Sequence, residues 1–122
     1  MNEKHKILIV EDDNGISSAL KEKLEHEKFS ITTAKNGEEG LVRIKEINPD
    51  LILLDLAMPR MDGVTMLENM KTTGLNVPVI VLTNLDDKCD ADGAIKNGAK
   101  ECLVKAEWKL EDIVEKIKFY LR

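Results

Sequence analysis

Short runs of consecutive apolar or β-branched residues recur five times along the chain, each followed by a longer segment of mixed polarity. The runs are KILIV at 6–10, SITTA at 30–34, LILL at 51–54, VIVL at 79–82 and ECLV at 101–104. An unbroken apolar run bounded by turn residues is typical of a strand covered on both faces, as in a parallel sheet. The runs ILIV, LILL and VIVL therefore predict central strands, and the two more polar runs predict edge strands.

Between these runs, apolar residues are spaced three or four positions apart, which predicts amphipathic helices. The helix-spaced sets are Ile16, Ala19, Leu20 and Leu24; Leu41, Ile44 and Ile47; Met66, Leu67 and Met70; and Leu110, Ile113, Val114, Ile117 and Leu121. Asp13 or Asn14 can cap the first helix, and Asn36 begins the second. Pro49 stops that second helix, because the residue before a proline avoids the helical conformation. The segment 86–97 is also predicted to be helical, although it has little to bury.

Five strands that alternate with helices predict βαβ units and one parallel sheet. A strand order of 2-1-3-4-5 is one of the two common arrangements of such a doubly wound α/β sheet, and it places the three most apolar strands at the centre. At 122 residues the chain is long enough for one core with little left for a second. We therefore predict a single α/β domain over residues 1–122.

Composition narrows the class of protein. The apolar fraction of 43% and charged fraction of 34% are those of a soluble globular protein. The net charge of −5 argues against direct nucleic-acid binding, which needs basic surface. No apolar run approaches the ~20 residues needed to span a bilayer, and the first residues have no signal-peptide pattern. We predict a cytoplasmic protein without membrane contact, in which Cys89 and Cys102 are reduced thiols.

Polar side chains stand where four of the predicted strands end. Glu11, Asp12 and Asp13 follow the first strand, Asp55 follows the third, Thr83 the fourth and Lys105 the fifth. Ligands of an open parallel sheet bind beyond the carboxyl ends of its strands. Neighbouring carboxylates repel each other unless a cation joins them, and an all-carboxylate ligand set suits Mg²⁺ or Mn²⁺. An aspartate there can also act as a nucleophile toward phosphorus, with Lys105 and Thr83 as donors to the phosphoryl oxygens.

At this point the sequence resembles the receiver domain of two-component response regulators over essentially its whole length. The resemblance is carried by ILIVEDD, NGEEGL, PDLILLDLAMPRMDG, VPVIVLT and GAKECLVK. It implies the flavodoxin-like (βα)5 fold of the CheY-like receivers. It also implies phosphorelay signalling, in which the domain accepts a phosphoryl group from the phosphohistidine of a sensor histidine kinase or a phosphotransfer protein.

The resemblance also assigns roles to individual residues. Asp55 would be the phosphoacceptor. Asp12 would bind Mg²⁺ directly, Glu11 would bind it through water, and the backbone carbonyl of Ala57 would be a further ligand. Thr83 and Lys105 would hold the phosphoryl oxygens. Asp13 lies one position beyond the acidic pair and is expected to be a helix cap.

Three positions depart from the family pattern. Cys102 stands where the family usually has an aromatic switch residue, Ala106 where it usually has a cis proline, and Asn84 where it usually has a small residue. None of these removes a group needed for phosphorylation. The family signals to a downstream protein partner through a face built by its fourth helix, fifth strand and last helix, so the departures concern how the signal leaves this domain.

Three alternative functions make different demands on these residues. A receiver-like interaction module that is never phosphorylated would keep the fold without the chemistry. A flavin-binding carrier would need a phosphate loop where Glu11, Asp12 and Asp13 stand, and these acids would repel a phosphate. A phosphatase of the aspartyl-phosphate type would need a second acid at Ala57. We therefore expect no enzyme acting on a separate substrate, but a stand-alone or excised receiver that promotes only its own phosphotransfer and autodephosphorylation.

Overall fold

A computed structural model of the chain describes residues 4–56, 61–83, 95, 97–105 and 108–121. The helix predicted over 86–97 lies, apart from residues 95 and 97, outside the described residues. The fold is therefore described by five strands and four helices.

The five strands form one parallel sheet in the order β2-β1-β3-β4-β5. They are β1 (Lys6–Val10), β2 (Ser30–Ala34), β3 (Leu51–Asp55), β4 (Val79–Thr83) and β5 (Glu101–Val104). Every residue of β3 and β4 is buried, and all of β1 is buried except Lys6. The edge strands β2 and β5 are mostly half-buried. This confirms the predicted fold class, strand order and division into central and edge strands.

The helices cover both faces of the sheet and divide the core into two layers. They are α1 (Asn14–His26), α2 (Gly37–Ile47), α3 (Gly63–Thr72) and α4 (Leu110–Tyr120). One core cluster contains Ile44 of α2 and Met66 of α3, and the other contains Leu24 of α1 and Ile117 of α4. Because the described helices cover both faces of the sheet, a polar ligand is expected at the carboxyl ends of its strands.

Side-chain caps fix the starts of the first three helices. Asp13, Asn36 and Asp62 each accept a hydrogen bond from the backbone N–H three residues later, at 3.0, 2.9 and 2.9 Å. Such a cap satisfies one of the N–H groups that the first turn of a helix leaves without a partner. Asn48 ends α2 with φ +48°, a left-handed conformation that asparagine tolerates, directly before Pro49. The predicted boundaries of α1 and α2 are thus confirmed with their physical causes.

Two further observations bear on the sequence predictions. Cys102 is disulfide-bonded, so the prediction of a reduced thiol at this position is wrong. Cys89 is the only other cysteine of the chain and lies outside the described residues. Among the described helices, none combines the length and apolarity needed to cross a membrane.

Candidate acidic site at the carboxyl ends of the strands

The polar residues predicted to converge lie at the ends of four strands. Glu11 and Asp12 follow β1, Asp55 ends β3, Thr83 ends β4 and Lys105 follows β5. Because all five strands are parallel, their carboxyl ends meet at the same end of the sheet. The topology therefore delivers three acids, a hydroxyl and an amine to one place.

The strand register sets the depth of these groups. Asp55 pairs with Leu82 across β3 and β4, and Thr83 pairs with Val104 across β4 and β5. Lys105 is thus one residue beyond the partner of Thr83, and Thr83 is one residue beyond the partner of Asp55. This register brings residues that are far apart in sequence to the same end of the sheet, one position apart from strand to strand.

Three carboxylates form a compact group. One oxygen each from Glu11, Asp12 and Asp55 can be chosen so that all three lie within 4.8 Å of one another. Glu11 and Asp55 are buried, with only 4% and 6% of their surfaces exposed, while Asp12 is exposed. Asp12 is therefore the member of this group that is in contact with solvent.

Lys105 supplies a positive charge to this group. Its Nζ donates to Glu11 Oε1 at 2.6 Å and lies 3.7 Å from Asp55 Oδ2. The Lys105 side chain is only 14% exposed, so this ion pair is shielded from water much more than a surface salt bridge. The lysine is therefore bound to Glu11 and within easy reach of Asp55.

Glu11 is held from both sides. Its second oxygen, Oε2, accepts a hydrogen bond from the backbone N–H of Asp13 at 3.2 Å. The Asp13 side chain caps α1 through the N–H of Ile16. Asp13 therefore caps the helix, as predicted, and orients Glu11 through its backbone.

Thr83 is fully buried at the end of β4, with no exposed surface. Ala57, whose carbonyl the resemblance assigns to the metal, lies outside the described residues, as do Asn84 and Ala106. Four of the six predicted site residues, Glu11, Asp12, Asp55 and Lys105, therefore lie close together. Thr83 ends the strand next to that of Asp55, and the Ala57 carbonyl stays a prediction.

Gly63 is a site-shaping residue that the sequence did not single out. A Cβ built on it would lie 2.5 Å from the backbone carbonyl oxygen of Asp55 and 2.8 Å from Cα of Leu56. Its N–H donates to the Leu56 carbonyl at 2.9 Å. The start of α3 is thereby pressed against the chain just after β3. The sequence predicts the helix that Gly63 begins, through Met66, Leu67 and Met70, but no sequence pattern revealed this close approach.

A groove of about 380 Å³ between α1 and α4 also went unpredicted. It is lined by Ile16, Ala19, Leu20, Leu82, Lys105, Trp108, Leu110 and Ile113. Sequence spacing assigned most of these residues to the core faces of their helices. Only the packing of the two helices shows that a gap remains between them beside Lys105.

The donor set fits a hard divalent cation. Three carboxylate oxygens within a few ångströms, with one exposed member for entry, are the ligands that Mg²⁺ and Mn²⁺ prefer in proteins. No nitrogen or sulfur ligand belongs to this cluster among the described residues. The arrangement therefore offers three carboxylates that could hold such a cation, one of them the buried Asp55, with the Lys105 amine beside them.

Comparison with known proteins gives the family. The family model of the response regulator receiver domain matches residues 7–118. Response regulator MprA of Mycolicibacterium vanbaalenii is 32% identical over 117 residues, which are 96% of this chain and 50% of that protein. The probable transcriptional regulator ycf27 of Porphyra purpurea is 36% identical over 104 residues, 85% of this chain and 42% of that protein. The chain thus spans about half the length of these curated relatives.

Solved structures agree with this result. A CheY-like receiver domain protein from Methanospirillum hungatei superposes with a TM-score of 0.89 at 29% identity, covering 98% of this chain and 94% of that one. The response regulator TrrA from Thermotoga maritima was solved in complex with Mg²⁺-BeF. It superposes with a TM-score of 0.86 at 32% identity, covering 96% of this chain and 99% of that one. Since the family model matches nearly the whole chain, this protein belongs to the response regulator receiver domain family of two-component systems.

Proposed function

We propose that this receiver domain accepts a phosphoryl group on Asp55 with Mg²⁺ bound, from the phosphohistidine of a sensor histidine kinase or a phosphotransfer protein. The observation that carries the proposal is the position of Asp55. It is a buried carboxylate that shares one end of the sheet with two other acids and lies 3.7 Å from the Lys105 ammonium group.

In the proposed reaction an oxygen of Asp55 attacks the phosphorus of the donor. The bond between phosphorus and the donor nitrogen breaks as the new bond forms, giving an aspartyl phosphate on this chain. The Lys105 ammonium group is close enough to Asp55 to donate a hydrogen bond to one phosphoryl oxygen. The buried Thr83 hydroxyl is a second donor of suitable type. Donors placed before the reaction stabilise the charge that develops on the transferring group.

Glu11, Asp12 and Asp55, with the Ala57 carbonyl, are the proposed ligands of Mg²⁺, for which Mn²⁺ is a possible substitute. When bound, the cation would neutralise the phosphoryl oxygens and the acids together. The compact oxygen cluster supports this assignment, and the relative TrrA was solved in complex with Mg²⁺-BeF. The protein would promote only its own phosphotransfer and autodephosphorylation, with no separate substrate turned over.

We further propose that the phosphorylated domain acts on a downstream protein partner through the face that includes β5 and α4. On α4, Phe119 is 56% exposed and could offer an apolar contact to a partner. Glu101 on β5 accepts a hydrogen bond from Tyr120 Oη at 2.6 Å and lies 3.1 Å from Lys116 Nζ. These contacts tie the strand to the helix. No direct nucleic-acid contact, no membrane contact and a cytoplasmic location stay predictions, as does a single domain over 1–122.

The rival function is a receiver-like module that binds its partner without being phosphorylated. The two are separated by treating the protein with acetyl phosphate and Mg²⁺ and measuring its intact mass. Addition of one phosphoryl group that Asp55→Asn abolishes would support the proposal. An unchanged mass in wild-type protein shown to bind Mg²⁺ would favour the rival.

A further inference from the structure

The start of α2 is bonded to the chain that leads into α3. The backbone N–H of Gly37 donates to the carbonyl oxygen of Met61 at 2.9 Å. The first N–H groups of a helix have no partner within the helix, so this one is available to bind another segment. Met61 is two residues before Gly63, which lies against the backbone of Asp55. The contact therefore ties α2 to the chain beside the proposed phosphoacceptor.

Gly37 has no room for a side chain at this contact. A Cβ built on it would lie 2.7 Å from the carbonyl oxygen of Met61, 2.7 Å from its Cγ and 2.9 Å from its Cβ. Real Cβ atoms essentially never come within 3.0 Å of such neighbours, so a methyl group on Gly37 would force Met61 to shift. Alanine forms helices better than glycine, so helix propensity does not explain the residue. The close approach of Met61 does.

Two more backbone hydrogen bonds extend this contact to the ends of β1 and β3. On one side, the N–H of Gly63 donates to the carbonyl of Leu56, the first residue after β3, at 2.9 Å. On the other side, the N–H of Glu11, the first residue after β1, donates to the Ala34 carbonyl at 2.9 Å. Ala34 is three residues before Gly37. The start of α2 is thus connected, within a few residues on each side, to both strand ends that carry the acids.

We propose that Gly37 is a positioning residue for the acidic site, which sets the spacing of Glu11 and Asp55 by admitting Met61 against the start of α2. Gly37 acts through backbone contacts and touches neither the metal nor the phosphoryl group. A metal site requires its ligands to be held to within about 0.5 Å, so a displaced Met61 would disturb the carboxylates. The effect on metal binding rests on the proposed function, whereas the effect on the backbone does not.

The first test is the affinity for Mg²⁺, measured by calorimetric titration with magnesium chloride. Gly37→Ala should raise the dissociation constant about tenfold, as is typical when support for metal ligands is lost. Gly40→Ala is the matched control, because Gly40 is a second buried glycine three residues later on the same face of α2.

The methyl group added at Gly40 would meet only side-chain atoms among its three nearest neighbours. These are Sδ and Cε of Met66 and Cγ2 of Val10, at 3.0 to 3.1 Å. A methionine side chain is flexible and can move aside without displacing the backbone. Gly40→Ala should therefore leave the dissociation constant within about twofold of wild type.

The second test needs no metal. The amide proton of Gly63, which is bonded to Leu56, reports whether the chain before α3 stays closed on the end of β3. Its hydrogen exchange, followed by NMR in metal-free protein, should be at least about tenfold faster in Gly37→Ala than in Gly40→Ala, because a loosened segment opens more often. Exchange of the buried amides of β1 corrects for any difference in global stability.

Circular dichroism checks that each variant folds. If Gly37→Ala does not fold, Met61→Ala replaces it, because it loosens the same contact by removing a side chain instead of adding a clash. It should raise the Mg²⁺ dissociation constant and speed the exchange of Gly63.

Unchanged Mg²⁺ affinity in Gly37→Ala, with binding intact in wild type, would overturn the inference even if exchange is faster, because Gly37 would then support the fold and not the site. An equal loss of affinity in Gly40→Ala would overturn it too, by assigning the effect to general packing of α2. Absence of Mg²⁺ binding in every protein would overturn the proposed metal site and the metal-binding part of this inference. Equal exchange of Gly63 in the two glycine variants would overturn the backbone part.

Discussion

Gly63 lies against Asp55 so closely that a methyl group on it would be 2.5 Å from the Asp55 carbonyl oxygen. This carbonyl oxygen belongs to the backbone, which cannot move aside as the end of a flexible side chain can. The same glycine donates its N–H to Leu56 at 2.9 Å, so the start of α3 closes directly onto the chain after the proposed phosphoacceptor. The position of Asp55 at the site thus depends on the absence of a side chain eight residues later.

Gly63→Ala should therefore destabilise the protein by about 3 kcal/mol, because the backbone around Asp55 must shift to admit the methyl group. The measurement is the free energy of unfolding in urea. Gly74→Ala is the control, because Gly74 has φ +76° but a Cβ there would meet nothing within 4 Å. Gly74→Ala should lower the free energy of unfolding by only about 1 kcal/mol, because alanine is strained in the left-handed conformation. Equal losses in the two variants would show that the contact with Asp55 carries no extra energy.

Much of the fold was readable from the sequence, because unbroken apolar runs and cap residues are local signals. LILL ended at Asp55 as predicted, and Asp13 and Asn36 cap the helices that they were expected to begin. The convergence of Asp55 and Lys105 followed from topology alone, since parallel strands end on one edge. These predictions needed no knowledge of how side chains pack.

What the sequence could not reveal depends on distances between segments. The preference of Lys105 for Glu11 over Asp55 is set by the conformation of one long side chain among three acids. The close approach of Gly63 to Asp55 and the groove beside Trp108 arise only when helices pack on the sheet. The disulfide at Cys102 was missed because sequence context favoured a reduced thiol.

Asp12 and Asp13 are neighbours in sequence with different expected roles. Asp12→Asn removes a proposed metal ligand and should weaken Mg²⁺ binding by at least about tenfold. Loss of a residue that only hydrogen-bonds a metal ligand already weakens metal binding by about this factor. Asp13→Asn removes the same charge but can still cap α1, and should change the affinity little. The dissociation constants are measured by calorimetric titration. A larger loss of Mg²⁺ affinity in Asp13→Asn than in Asp12→Asn would show that the metal does not bind at the cluster of Glu11, Asp12 and Asp55.

Thr83 allows the hydroxyl group to be tested apart from the shape of the side chain. Thr83→Val keeps the shape at this fully buried position and removes the donor. It should slow phosphorylation by acetyl phosphate about a hundredfold, as expected for losing one donor to a developing charge. Thr83→Ser keeps the hydroxyl and should retain most of the rate. The observed quantity is the rate at which phosphorylated protein appears, and equal rates for the valine and serine variants would exclude a role for the hydroxyl.

Tyr120 provides a pH-dependent test of the β5–α4 contact. The hydrogen bond to Glu101, together with burial and the Glu101 charge, raises the pKa of Tyr120 from 10.0 to about 12. Because the pKa is higher in the folded state, this contact stabilises the fold fully below pH 10, and the stabilisation is lost as the pH rises toward 12. Tyr120→Phe should lower the free energy of unfolding at neutral pH by about 1 kcal/mol.

Tyr120 is the only tyrosine of the chain, so its ionisation can be followed directly by the near-ultraviolet absorbance of tyrosinate. Glu101→Gln should return the midpoint toward 10, because it removes the negative charge that opposes ionisation. Glu115→Gln, an exposed acid of the same helix, is the matched control and should leave the midpoint unchanged. A midpoint near 10 in the wild-type protein would contradict the contact between β5 and α4.

The measurement that tests the central claim most directly is the intact mass of the protein after incubation with acetyl phosphate and Mg²⁺. Transfer of one phosphoryl group to Asp55 predicts a gain of about 80 Da in the wild-type protein. The gain should disappear in Asp55→Asn and persist in Asp50→Asn, an exposed acid that precedes the same strand at its other end. An unchanged wild-type mass with bound Mg²⁺, or the same gain in Asp55→Asn, would contradict the assignment of Asp55 as the phosphoacceptor.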